Sequence, residues 1–506
     1  MTEEIVSYGV LSLIPAILAV VLAFWTKNVI ISLMASLFVG CLITAGWNPW
    51  NAMQVMFSDH LFVDMTGSSN AQTIIMISFV GGFVALIEAT GGAKAFAAAI
   101  ANKVHRRSTA QTTAWLGGLA IFFSDSGNSL ILGPIFRPIF DRLRISRAKL
   151  AYILDSTSSP VCILVPITGW GVYIMGIIAT EFENLGIQTS DASAFVQAIP
   201  YQFYALLALV LVPLIALSKR DFGPMAKFEA YVLENGPTTA ELEADKSIVQ
   251  SENASKATAW EMIIPLLVMF VTIFVMFIGW GFPGQNIPGS KIRIALTSGY
   301  MLATIVLAIM VIVKKIMTFT EVVDTWVSGI KKMAGILAII IAAWGVGSVC
   351  TALGTSQFVV DCTIGFLSPA LVPALLFIIG AVISFATGTS WGTMAILLPL
   401  GINMAYGFGV SEAITIAAVL SGSLFGDHCA PISDTTVMSS MAGGCNHIDH
   451  VRTQIPYALL AAVASFIAYL IVGVTQMAAG IALPVALAIL AVLFLLAARL
   501  FGKKIA

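Results

Sequence analysis

The chain has 506 residues, of which 58% are hydrophobic and only 10% charged, with a formal net charge of −1 and a mean hydropathy of +0.96. Soluble domains carry roughly 25% charged residues, so this composition excludes a soluble globular chain and implies a polytopic, all-α membrane protein. In such a protein the placement of charge, not its sum, sets the topology.

The first apolar run, Ile5 to Trp25, follows Glu3 and Glu4 rather than a basic region, and no small-residue cleavage site ends it. It is expected to be a first span, not a signal peptide. Runs near the ~20 residues needed to cross the bilayer follow in order at 5–26, 28–46, 70–89, 150–180, 200–218, 259–281, 292–313, 333–352, 412–443, 453–475 and 482–501. Two further stretches, 109–142 and 370–405, are each two half-length runs around a small polar cluster, "SDSGNS" at Ser124 to Ser129 and "TGTSWG" at Thr387 to Gly392. Both are expected to bend into hairpins.

Lys and Arg test this layout, because they collect in short cytoplasmic loops. "KVHRR" precedes Thr109 and "DRLRISRAK" follows Phe140, so both ends of 109–142 are expected at the cytoplasm, as in a re-entrant hairpin. From that anchor the N-terminus falls outside and the C-terminus inside, with only Lys291 and Arg293 of the 25 Lys and Arg on the outer face. The resulting plan is a first repeat at 1–218, a cytoplasmic linker at 219–258, a second repeat at 259–480, and an extra C-terminal helix with a basic tail at 481–506. The six cysteines are scattered, mostly through apolar segments, and read as small core residues.

The halves resemble each other. "GGFVALIEATGG" at 81–92 matches "WGVGSVCTALGT" at 344–355, and the two hairpin clusters meet at a similar offset near 262. "LDSTSSP" at 154–160 then aligns with "GDHCAP" at 426–431, each an Asp shortly before a Pro inside an apolar span. Five crossings and one hairpin per half make the second repeat inverted, a recurrent plan of secondary transporters whose broken helices meet at the midplane. Interrupted helices are tolerated in lipid only where the freed backbone lines a polar cavity or binds something.

Glu88, Asp125, Asp155, Asp427 and Asp434 all fall in or beside spans, whereas Lys94, Arg137 and Arg452 lie at expected cytoplasmic ends. A carboxylate in the bilayer interior costs about 2.5–3.5 kcal/mol on insertion scales, so an unbalanced acidic group of this kind asks for cations. Asp427, Asp434 and Asp155 are the expected Na⁺ ligands. Asp125, Asn128, Thr157, Ser158, Thr389, Ser390, Ser433 and Thr435 are added as ligands from the breaks, and His428 and Glu88 as proton relays. For Asp427 and Asp434 the competing role is helix capping. Cys445, His447, Asp449 and His450 have loose metal-ligand spacing and read as a cytoplasmic loop instead.

The runs "GDHCAPISDTTVMSS", "SFATGTSWGTM" and "FSDSGNS" resemble the signature of the NhaC family of sodium/proton antiporters, within the wider ion transporter superfamily. The resemblance implies Na⁺/H⁺ exchange in a bacterial inner membrane. It carries over to Asp427, Pro431, Ser433, Asp434, Thr435 and Thr436, and to Thr387, Gly388, Thr389 and Ser390. His428 departs from the pattern, since many relatives are expected to carry a Lys there.

The expected activity is therefore transport without enzymatic chemistry or a cofactor. The partners are lipid, Na⁺ and H⁺ and no nucleic acid, and the sequence leaves monomer and homodimer open. The alternative cargo is a small organic solute, an amino acid or carboxylate, coupled to Na⁺ or H⁺. A channel is disfavoured by the inverted, interrupted repeats.

Overall fold

A computed structural model of the chain describes residues 8–101, 104–237, 256–282, 287–355, 358 and 368–504. Cys362 lies outside them, and so does most of the expected linker beyond Pro237. The described residues are almost entirely helical. Seven helices are long and apolar enough to cross a bilayer, or ten spans if each sharply bent pair counts as one.

In chain order, α1 (Ile14–Thr26) and α2 (Val29–Thr44) pack on each other, and the chain then turns by 113° into α3 (Pro49–Val55), a π turn and α4 (Phe62–Thr66). Trp47 and Trp50 are exposed at that turn, as interfacial tryptophans are. Next come α5 (Ser68–Ala89), α6 (Gly92–Ala101), and the hairpin of α7 (Arg107–Ala120) with α8 (Asp125–Arg142). A broken span follows as α9 (Arg147–Ser156), α10 (Ser159–Cys162) and α11 (Gly169–Leu185), then α12 (Asp191–Ala198) and α13 (Phe203–Ser218).

The helix α14 (Gly223–Asn235) precedes the second half: α15 (Trp260–Gly279), α16 (Gly289–Val313), α17 (Phe319–Lys332) and α18 (Ala334–Ala352). There follow α19 (Val372–Thr387), α20 (Ser390–Phe408), α21 (Glu412–Cys429), α22 (Asp434–Gly443), α23 (His447–Thr475) and α24 (Ala479–Leu500). The starts of α18, α19, α20 and α21 follow those of α5, α7, α8 and α9 by 265 or 266 residues, close to the spacing read from the motifs.

Paired charges explain two features of the sequence. Arg293 is buried and ion-paired with Asp191, with Gln72 and Ser69 also against its guanidinium. The cation that breaks the loop rule is therefore neutralised in place. Within 219–258, α14 is docked rather than free: Glu229 pairs with Arg107 at 2.6 Å and accepts the Ser146 amide at 2.8 Å. Asp221 pairs with Lys149 and accepts the Tyr457 hydroxyl at 2.6 Å. Burial pushes the Glu229 carboxyl above its ordinary range, with Lys149 and Arg107 opposing it. A two-residue strand, β1 (Arg220–Asp221), pairs with β2 (Lys503–Lys504) and ties the same region to the C-terminal end.

Candidate functional site

Three of the four breaks expected from the sequence line one cavity, and the fourth, Asp155 to Pro160, does not. Ser124 to Gly127 at the tip of the α7–α8 hairpin, Gly388, Thr389 and Trp391 at the α19–α20 tip, and Asp427 with Ser433 to Thr435 at the α21–α22 break line one cavity of about 460 Å³. Gly388 takes a left-handed conformation, φ +69°, to end α19, and a Cβ there would lie 2.6 Å from Ile432. Only glycine lets this tip reach the neighbouring break.

The caps show what the acids are free to do. Ser124 caps α8 by accepting the Gly127 amide, and Ser433 caps α22 by accepting the Thr436 amide. Asp125 and Asp434 are each the first residue of the helix that follows, and Asp427 lies near the end of α21, so none of the three carboxylates is spent on capping. Asp434 is exposed toward the cavity and accepts no hydrogen bond from a described residue. Asp427 is buried and accepts from the Ser390 hydroxyl at 2.8 Å. Asp125 accepts from its neighbour Ser126 and from the Trp170 indole at 3.1 Å. Ser433 and Thr435 hydroxyls lie 3.0 Å apart, and Thr389 stands at the N-cap of α20 without making the cap bond, which leaves its oxygen to the cavity.

Glu88 joins these acids: it lines the cavity, and a Cβ on Gly127 would come within 2.2 Å of its Oε1. A second hollow of about 560 Å³ shares Glu88, Gly127 and Leu130 and adds Lys94, Glu321 and Asp324. Glu88 thus stands at the junction of the two hollows.

Four expected ligands stand elsewhere. Asn128 is fully buried and donates to the carbonyls of Gly118 at 2.8 Å and Thr157 at 2.9 Å, bracing the hairpin against the α9–α10 break. Thr157 donates to Ile153 O, and Ser158 donates to Asp125 O at 2.8 Å. Asp155 lies behind the cavity in a dense network: it accepts from Thr436 at 3.1 Å, Ser439 at 3.3 Å and Gln454 at 2.6 Å. His428 and His450 place their Nε2 atoms 3.8 Å and 3.9 Å from its Oδ2. His428 accordingly faces this network and not the cavity, with Tyr204 OH 2.7 Å from its Nδ1.

Sequence reasoning missed three groups. Lys332 lines the cavity from the joint between α17 and α18, so the acids are not without a nearby cation. Arg137 is buried rather than at a rim, donating to the terminal carbonyls of Met441 and Ala442 and so stabilising the negative end of α22. His450 is not in a loop: it is buried in the first turn of α23, and no group of three His, Cys, Asp or Glu able to hold a metal occurs among the described residues. The i, i+4 spacing of His450 and Gln454 was the available signal, since it sets both on one helix face.

A sequence model of the Na⁺/H⁺ antiporter family matches residues 161–474, more than half of the chain. The chain belongs to this family. A protein of undefined function from Haemophilus influenzae is 32% identical over 93% of this chain and 92% of its own length. The Na⁺/H⁺ antiporter NhaC of Alkalihalophilus pseudofirmus is 26% identical over 31% and 33% of the two chains, and the arginine/ornithine antiporter ArcD of Halobacterium salinarum 31% over 27% of each. In fold, the antiporter-family chain is similar to MtrF of Neisseria gonorrhoeae, described as representing a class of antimetabolite efflux pumps, with a TM-score of 0.63 at 16% identity, covering 90% and 94% of the two chains. The matched segment of the family holds Asp427, Asp434, Thr389, Ser390 and Lys332, whereas Glu88, Asp125 and Asp155 precede it.

Proposed function

We propose that the protein exchanges Na⁺ for H⁺ across the bacterial inner membrane, binding Na⁺ in the central cavity between Asp427, Asp434 and Asp125. The observation that carries this reading is the cavity's charge: Glu88, Asp125, Asp427 and Asp434 face a single ammonium, Lys332. Ser390, Ser433, Thr435 and Thr389 supply neutral oxygens of the kind a hard monovalent cation takes. Movement of the hairpin-bearing unit against the remaining helices would expose the cavity to one face and then the other, with Lys27, Lys314, Lys315 and Arg452 on the cytoplasmic side.

Purified protein in proteoliposomes containing a pH dye tests this. A Na⁺ pulse is expected to move protons in the wild type and not in Asp427→Asn. Equal proton flux in both would remove Asp427 from the mechanism.

One observation favours an organic co-substrate. The cavity volume of about 460 Å³ falls in the range of small-molecule sites and exceeds the need of a bare ion. Trp170 and Trp391 pack with centroids 4.6 Å apart beside the acids, offering an aromatic wall to an ammonium group. Lys332 on the same cavity suits a carboxylate. Radiolabelled amino-acid uptake that saturates and is lost in Lys332→Gln would establish this second cargo.

A further inference from the structure

Behind the cavity, three of the five histidines are joined in one buried chain of polar atoms. His447 Nε2 lies 2.6 Å from the Pro431 carbonyl and its Nδ1 2.9 Å from Ser440 Oγ. Ser440 Oγ lies 2.8 Å from His450 Nδ1, and His450 Nε2 lies 2.8 Å from Gln454 Oε1. Gln454 Nε2 contacts Asp155 Oδ2 at 2.6 Å and the His428 carbonyl at 2.5 Å.

The protonation of this chain follows from assigning a donor and an acceptor to each contact. A backbone carbonyl only accepts, so Gln454 must turn its amide NH₂ toward His428 O and Asp155, which leaves its oxygen facing His450. His450 Nε2 therefore carries a hydrogen. By the same rule His447 Nε2 carries one, because its partner is the Pro431 carbonyl. Both Nδ1 atoms then meet the single hydroxyl of Ser440, which has one hydrogen to give. One of the two contacts must be donated by an imidazole, so one histidine of the pair holds a second proton. Ser440 can instead donate to Thr436 O, 2.7 Å away, and its oxygen then accepts from whichever imidazole holds the proton.

We infer that His447, Ser440 and His450 hold one shared, exchangeable proton, counterbalanced by buried Asp155, and that this triad is the proton site of the exchange, separate from the cation cavity. The inference rests on the antiport reading above. His447 is half-buried at the α22–α23 junction and His450 fully buried. Inward transfer is a paired step: His447 Nδ1–H passes to Ser440 Oγ as the Ser440 hydroxyl hydrogen passes to His450 Nδ1, so His447 loses one proton and His450 gains one. The groups facing His450 are Asp155 from α9, His428 from α21, the Thr436 backbone and the Ser440 hydroxyl from α22, and His447 and Gln454 from its own helix. Arg137 and Arg147 stand further off, at the C-terminal carbonyls of α22 and Gly444. Coupling has a short mechanical route: α22 presents Asp434 and Thr435 to the cavity and Thr436, Ser439 and Ser440 to the proton network, all within two turns.

Sodium-driven proton exchange by the full-length protein in proteoliposomes, measured against pH, tests the inference in His450→Gln, His447→Gln and the milder Ser440→Ala. Each is expected to move or flatten the pH profile by about one unit or more, while the KM for Na⁺ at the alkaline plateau stays within about twofold. Spectra of the ¹⁵N-histidine-labelled wild type are expected to show an imidazolium signal that follows the pH profile of exchange and disappears in Ser440→Ala. Absence of exchange in the wild type would overturn antiport itself and the triad's role with it. Exchange with an unmoved pH profile, or neutral imidazoles throughout the wild-type spectra, would overturn the proton site alone.

Discussion

Asp434 and Asp155 are the same residue type on packed helices, yet the protein treats them oppositely. Asp155 is 1% exposed and receives three donated hydrogen bonds from α22 and α23, whereas Asp434 receives none from a described residue and faces open volume. A carboxylate whose lone pairs are filled by the fold contributes to structure and holds nearby protons in place. One left open must be satisfied by water or cargo. Burial alone would have marked Asp155 as the better ligand; the partner inventory reverses that order.

The contrast predicts where each substitution acts. Asp427→Asn should have the largest effect on transport, because a charge at ~4 Å contributes about 4 kcal/mol at an effective dielectric of 20, roughly three orders of magnitude in Na⁺ affinity. Isotope competition binding would measure it, and a change below tenfold would move the cation elsewhere. Asp155→Ala should have the largest effect on stability, about 3 kcal/mol, since Thr436, Ser439 and Gln454 lose their acceptor. Thermal unfolding in detergent would show it, and an unchanged midpoint would mean the network re-forms without the acid. Asp434→Asn should do the reverse, raising the Na⁺ KM about tenfold with the unfolding midpoint unmoved.

Gly127→Ala should impair exchange while sparing Na⁺ selectivity, because the new methyl displaces Glu88 from the junction of the two hollows. Stopped-flow Na⁺ access would report it. The smallest effect on transport is expected at Glu229→Gln, which lies outside the cavity lining. Its folded pKa is raised, so the carboxyl's contribution is present below the ordinary carboxylate range and lost as pH rises through its own value. The wild-type midpoint should fall across that window and the variant's should not.

Much of the plan was legible because lipid imposes it. Span lengths, the polar breaks at Ser124, Thr389 and Asp427, and the repeat spacing all follow from the need to satisfy backbone groups inside hydrocarbon. The convergence of those breaks was inferable from the offset between halves. Lys332 was not, because a Lys at a helix end reads as a loop marker until the fold turns α17 onto α5 and brings it to the cavity. Nor was Arg293, which counts against the loop rule until Asp191 is seen beside it.

The amino-acid order by itself determined the solvent, the helical class, the places where helices break and the acidic character of the centre, since each is set by local composition and periodicity. Tertiary structure alone decided which acids keep open lone pairs and which are filled, and it alone brought His447 and His450 to one hydroxyl. Hydrogen-bond satisfaction depends on atoms a few ångströms apart whose residues lie up to some 300 positions apart in the chain, as Asp155 and Gln454 do.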